Sequence, residues 1–183
     1  MNKKLLTKNI VPVLIVIVIG AIWIIKNSTD KTDFTEQNTV ELTGNLENAD
    51  FSLEATTEID FTAFTEYGLP VIVDYGSDSC IPCKQMAPAL KTLNEEMAGK
   101  AFIKFVDVWK YTDAANNVPI QVIPTQILFN ADGTPFIPSE NLAAKIQFSL
   151  YNDKTNGNHV FTTHQGGLTE EEMRAILEEM GVE

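Results

Sequence analysis

Apolar residues gather into one long run near the start of the chain and afterwards break into short clusters divided by polar stretches. Ile10 to Ile25 (IVPVLIVIVIGAIWII) carries no charge, and Met1 to Asn9 ahead of it holds three lysines. Sixteen apolar residues fall just short of the roughly 20 that cross hydrocarbon comfortably, but Leu5, Leu6 and snorkelling lysines at both ends extend the reach. The run ends Trp23-Ile24-Ile25-Lys26-Asn27-Ser28, without small residues for cleavage or a cysteine for lipid attachment, so residues 1–26 are expected to stay as a cytoplasmic tip and transmembrane signal anchor. Lysines before the run and acids after it orient the anchor with Met1 inside and the remainder outside. The expected location is the cell membrane, single-pass, with the C-terminal domain extracytoplasmic. Residues 27–50 are rich in Asn, Thr, Asp and Glu and read as a flexible acidic linker.

From Phe51 to Glu183 the pattern predicts one α/β domain. Phe51–Leu53 is expected as a short edge strand, and Asp60 as the cap of a short helix holding Phe61 and Phe64. Leu69–Tyr75 (LPVIVDY) is β-branched and apolar on both faces, which predicts a central strand covered by helices on each side. Met86, Leu90, Leu93 and Met97 recur at helical spacing, so Cys80 to about Met97 should be a helix ending near Gly99. Ala101–Val108 reads as a strand, Tyr111–Asn117 as a short helix and Thr125–Phe129 as a strand closed by the turn Asn130–Gly133. Ile146–Tyr151 and Val160–His164 flank Asn156-Gly157, which favours a hairpin reversal. Thr169 and Glu172 stand in capping-box relation ahead of an amphipathic terminal helix through Met173, Ile176, Leu177 and Met180.

Charge narrows the partners. The chain carries a formal −12, and the four lysines within the first 26 residues meet no acid there, which leaves −16 for residues 27–183. Such a surface repels phosphate backbones and anionic headgroups, so no nucleic-acid partner is expected; solubility explains the acids.

Only two cysteines occur, Cys80 and Cys83, as Cys-Ile-Pro-Cys at the junction of the buried strand and the helix. A bridge across so short a loop removes almost no chain entropy, so the pair is chemical rather than structural. Free amides at a helix start favour the thiolate, which makes Cys80 the expected nucleophile; Cys83, one turn further in, stays a thiol until it resolves a mixed disulfide. Pro82 fits the first turn, where an amide hydrogen is not needed, and stiffens the ring formed on oxidation. Asp74 interrupts an apolar strand. Burial should raise its pKa toward neutrality and let it take and return the proton of Cys83, whereas an edge strand would leave it a plain surface residue.

These residues resemble the thioredoxin family. The likeness runs through Val71-Ile72-Val73-Asp74-Tyr75, Cys80-Ile81-Pro82-Cys83-Lys84, Met86-Ala87-Pro88 and Ile123-Pro124-Thr125, and extends to Gly133, Gly166 and the terminal helix. The resemblance implies a thioredoxin-like fold: a central mixed β-sheet flanked by helices, to which this chain is expected to add a hairpin insertion (about residues 135–160) before the last strand. It implies a protein-disulfide reductase in which Cys80 attacks, Cys83 resolves and Asp74 assists proton movement. Pro124 matches the cis-proline facing the dithiol, with Ile123 presenting backbone groups to a substrate peptide; Gly166 matches the glycine of the substrate-facing surface, and Pro88 the proline that kinks the helix. Ile81 and Pro82 would complete the contact surface. No cofactor is implied beyond the redox-active Cys80–Cys83 disulfide. The implied partners are disulfide-containing proteins and, by likeness to anchored extracytoplasmic thioredoxin-like proteins of bacteria, a membrane thiol electron donor of the cytochrome-biogenesis type.

Three departures stand out. Ser79, preceded by Asp78, replaces the family's usual tryptophan, Ile81 replaces glycine, and the stretch between Gly133 and Gly166 is longer than the family's by about two dozen residues, beyond ordinary loop lengths. The added segment either helps select partners or is decoration. Proline directly before the second cysteine is shared with reducing family members, which favours reduction; an oxidising dithiol protein and a non-catalytic adaptor docking through Ile81, Ile123 and Gly166 are the alternatives. A zinc site joining His159 and His164 to the cysteines is the chemical rival, weakened by the long separation and the single C-x-x-C. Phe102, Phe105, Ile127 and Phe129 read as core and Trp109 as strand-end packing.

Overall fold

The computed structural model describes residues 46–183. The expected anchor (1–26) and most of the expected linker (27–50) lie outside the described residues; among those described, no helix is long and apolar enough to cross a membrane.

Strand β1 (Val71–Gly76) is buried at every position, as its β-branched, doubly apolar sequence requires. It pairs in parallel with β2 (Phe102–Asp107) and antiparallel with β3 (Thr125–Phe129). The parallel pairing demands a crossover, supplied by helix α1 (Ile81–Glu96). A four-residue helix α2 (Glu140–Ala143) precedes β4 (Ser149–Asn152), β5 (His159–Gln165) follows, and α3 (Glu170–Glu179) ends the domain with the Thr169–Glu172 capping box formed on both sides. The sheet runs β2-β1-β3-β5-β4, a mixed five-stranded arrangement.

Strand alternation divides the core. Ile72 and Ile103 face α1 and α3, where Met86, Leu90, Leu93, Met173, Ile176 and Leu177 close over them. Val71, Val73, Tyr75, Phe102, Val106 and Ile127 face the other way. Among the described residues, that second face lacks the α-helical cover expected from the sequence. Aromatic side chains of the 49–69 stretch cover it instead, with Phe51 stacked on Phe102 at 4.6 Å and Phe61 on Phe129 at 4.5 Å. The helical segments there are only 3-10 turns, Ala63–Tyr67 and Thr112–Ala115; the first is stopped by Gly68 in the left-handed region (φ 62°), just ahead of Pro70.

Four other expectations are corrected. Phe51–Leu53 is no strand but part of a single bridge, Glu54 to Phe105, because its backbone meets β2 only there. Asp60 does not cap the turn at its N-cap, which is Thr62; its carboxylate accepts from the Thr62 amide, and Phe61 precedes the turn. The hairpin's second arm is the last strand itself: β4 pairs with β5, so the insertion adds β4 to the sheet edge, and α2 puts Leu142 into the core. Trp109 is 62% exposed, since the Asp107 carboxylate takes the amides of residues 109 and 110 and turns the chain away from the sheet.

Candidate active site

Cys80 lies where β1 has ended and α1 begins. As N-cap it holds an extended backbone (φ −83°, ψ 130°), and its Sγ accepts from the Cys83 amide at 3.4 Å. Sulfur thus stands where helix-terminal amides meet negative charge. Its other near partner is the Ile123 carbonyl, 3.8 Å away. Pro82 occupies the first turn without forfeiting a hydrogen bond, and Pro88 lies inside the helix.

The two sulfurs are unequal. Cys83 faces inward, and burial first, then its interaction with Cys80, pushes its thiol up to about 12. Asp74 lies on the same side of the sheet as α1 and is wholly buried in an interior strand, with Phe105 as its β2 neighbour, so the surface alternative is removed. Desolvation raises its carboxyl to about 7, against the opposing effect of a 2.7 Å hydrogen bond donated to Oδ1 by Gln126 Nε2. Among the described residues Oδ2 has no hydrogen-bond partner. Asp74 Oδ2 and Cys83 Sγ converge on Gly76: a Cβ there would stand 3.1 Å from one and 3.2 Å from the other. A side chain at position 76 would fill the gap between acid and thiol.

The opposite wall comes from loops at the ends of β3 and β5. Ile123–Pro124 is cis, and the Pro124 carbonyl accepts from the Gly166 amide at 2.9 Å. Gly166 takes φ 114°, a conformation side chains rarely adopt, and a Cβ on Gly167 would come 3.9 Å from the Pro82 carbonyl. Ile81 is 71% exposed beside them, with Pro82 exposed, Ile123 half-buried and Pro124 buried. The eight residues singled out in the sequence therefore gather at one end of the sheet. A cavity of about 420 Å³ touches Cys83, Ser77, Lys84 and Phe105, whereas a larger one, about 530 Å³, lies at Phe61, Phe129 and Phe161, away from the dithiol.

Two supports were missed from sequence. Gln126, a polar residue in an apolar strand, offered the same clue as Asp74. Asp107 offered a similar one: its buried carboxylate accepts from the amides of Asp78, Trp109 and Lys110, and Lys110 pairs with Asp78, so one acid ties down the loop leading to Cys80. The histidines have other partners than the cysteines: His159 Nε2 lies by the Phe161 carbonyl and His164 Nδ1 by that of Gln147. Among the described residues no group of three or more His, Cys, Asp or Glu could hold a metal ion.

A mixed sheet with an N-capping cysteine, a buried second thiol and a facing cis-proline defines the class of dithiol proteins built on a thioredoxin-like fold. The family model for thioredoxin matches residues 53–149, and the chain belongs to the thioredoxin family of thiol-disulfide oxidoreductases, which act on disulfide-containing proteins. Thioredoxin of Staphylococcus aureus is 39% identical over 93 residues, 48% of this chain and 88% of that protein. Chloroplastic thioredoxin Y of Oryza sativa is 33% identical over 87 residues, which span 44% of this chain and about half (51%) of the rice protein. Among solved structures, chloroplastic thioredoxin z covers 73% of this chain and 96% of its own at 20% identity and TM-score 0.47. The thioredoxin of Malassezia sympodialis covers 70% and 91% at 20% identity and TM-score 0.45.

Proposed function

We propose that this chain is a membrane-tethered protein-disulfide reductase working on the extracytoplasmic side. The Cys80 thiolate attacks one sulfur of a substrate disulfide lying along Ile123–Pro124 and Gly166, forming a mixed disulfide and releasing the other substrate sulfur as a thiolate. Cys83 then gives its proton to the Asp74 carboxylate and attacks the Cys80 sulfur, which frees the second substrate thiol and leaves the Cys80–Cys83 disulfide. The observation that carries this reading is the inequality of the sulfurs: one caps a helix, and the other is buried, held at about 12, and close to a carboxyl near 7 that can accept its proton at neutral pH.

The lysine-flanked apolar run and the acidic remainder support tethering and an outward orientation. Outside the cytosolic thiol pool the oxidised protein needs a donor of electrons, and a membrane thiol carrier of the cytochrome-biogenesis type supplies that chemistry.

Reduction of insulin by the purified full-length chain with dithiothreitol as donor tests the activity, and Cys83→Ser tests the order of attack. That variant should accumulate a mixed disulfide at Cys80, whereas Cys80→Ser should trap nothing. A correctly folded protein without turnover favours the adaptor instead. Equilibration with glutathione decides direction: a potential near thioredoxin's, about −270 mV, fits a reductant, and one near about −120 mV an oxidant.

A further inference from the structure

We propose that His164 is a substrate-positioning residue, whose Nε2 accepts a hydrogen bond from the backbone of a disulfide-bearing peptide laid across Gly166; this rests on the reductase reading above. His164 Nδ1 lies 2.8 Å from the carbonyl oxygen of Gln147. A carbonyl only accepts, so Nδ1 carries a hydrogen, and the neutral tautomer this selects has its lone pair on Nε2. Phe148 meets the ring edge-on, with centroids 6.4 Å apart and planes at 70°. Gln147 and Phe148 both belong to the insertion ahead of β4, so the added segment sets the tautomer and holds the ring.

None of the described residues hydrogen-bonds Nε2. A Cβ built on Gly166 would find one atom within 4 Å, His164 Nε2 at 3.7 Å. Among the described residues beyond its chain neighbours, a single acceptor thus stands over Gly166. Gly166 is itself tied to the Pro124 carbonyl, and neighbouring Gly167 approaches Pro82, so this acceptor stands at the rim of the wall facing the dithiol. An extended peptide bound there turns amide hydrogens toward its neighbours, and an amide buried without a partner weakens binding. The insertion, which the sequence left between partner selection and decoration, acquires the first role.

The test compares insulin with bis(2-hydroxyethyl) disulfide, which has no peptide backbone, using the full-length chain. His164→Asn keeps an N–H near the Gln147 carbonyl and removes the outer nitrogen, whereas His164→Gln returns an amide oxygen to that region. In H164N the ratio of kcat/KM for insulin to that for the small disulfide should fall about fivefold through KM, the loss of one hydrogen bond, and H164Q should recover most of it. Phe148→Ala loosens the ring without changing it and carries the test should H164N unfold; it too must lower the ratio. An unchanged ratio in these variants, or equal losses on both substrates with a lowered Tm, overturns the inference while leaving the reductase intact. A wild type that reduces neither substrate overturns both.

Discussion

Replacing Asp74 with asparagine should stabilise the protein above neutral pH while slowing its chemistry. The carboxyl rises from an ordinary 3.8 to about 7 on folding because burial strips water from its charged form, a loss that the one hydrogen bond from Gln126 offsets only in part. Below 3.8 both folded and unfolded states hold the proton, and the site has no effect on the pH dependence of stability. Between 3.8 and about 7 the unfolded chain has released the proton and the folded chain has not, so stability falls as pH rises; above 7 the loss is complete. The gap amounts to about 4 kcal/mol at most. Asparagine keeps the acceptor for Gln126 and cannot ionise, so D74N should match wild type near pH 4 and exceed it by about 2–4 kcal/mol at pH 8. Urea unfolding of the reduced protein at several pH values measures this. The difference between the two proteins isolates Asp74 from Asp50 and Asp107, whose lowered pKa values act in the opposite sense. Parallel curves for D74N and wild type from pH 4 to 8 would refute burial as the cause. Single-turnover resolution by Cys83 should slow at pH 7 in the same variant, since the nearby acceptor is gone.

Two further outcomes follow from the packing around the dithiol. Iodoacetamide at pH 8 should modify one thiol of the reduced native protein, Cys80, and reach Cys83 only under denaturing conditions or at far higher pH, because burial holds that thiol at about 12; equal labelling by peptide mass mapping would contradict the assigned roles. Gly76→Ala should cost about 1–3 kcal/mol in chemical denaturation, the penalty of overpacking, because its methyl would meet Phe105 at 3.0 Å as well as Asp74 and Cys83. A loss below about 0.5 kcal/mol would mean that the gap between acid and thiol is looser than described.

Much of the fold was legible because local patterns carried it. Val71–Gly76 reads as a buried strand from its β-branched run, Thr125–Phe129 from a similar one, and Glu170–Glu179 from its cap and apolar spacing. The second face was misread because apolar residues on both sides of a strand require cover without specifying its form, and aromatic loops serve as well as helices. Phe51–Leu53 failed as a strand for a related reason: an edge strand depends on how far its neighbour runs alongside it, which no local propensity records.

The same division holds at the site. Sequence alone determined the chemistry on offer: two sulfurs at helical spacing with a proline between them, and an acid inside an apolar strand. Only tertiary structure decided what those groups became. Gln126 reaches Asp74, Asp107 ties down the loop before Cys80, and the insertion turns His164 toward Gly166 through contacts between residues far apart in the chain. Desolvation and hydrogen bonding depend on which groups surround an atom in space, so the strength of the acid and the inertness of the inner thiol emerge only when the chain has closed around them.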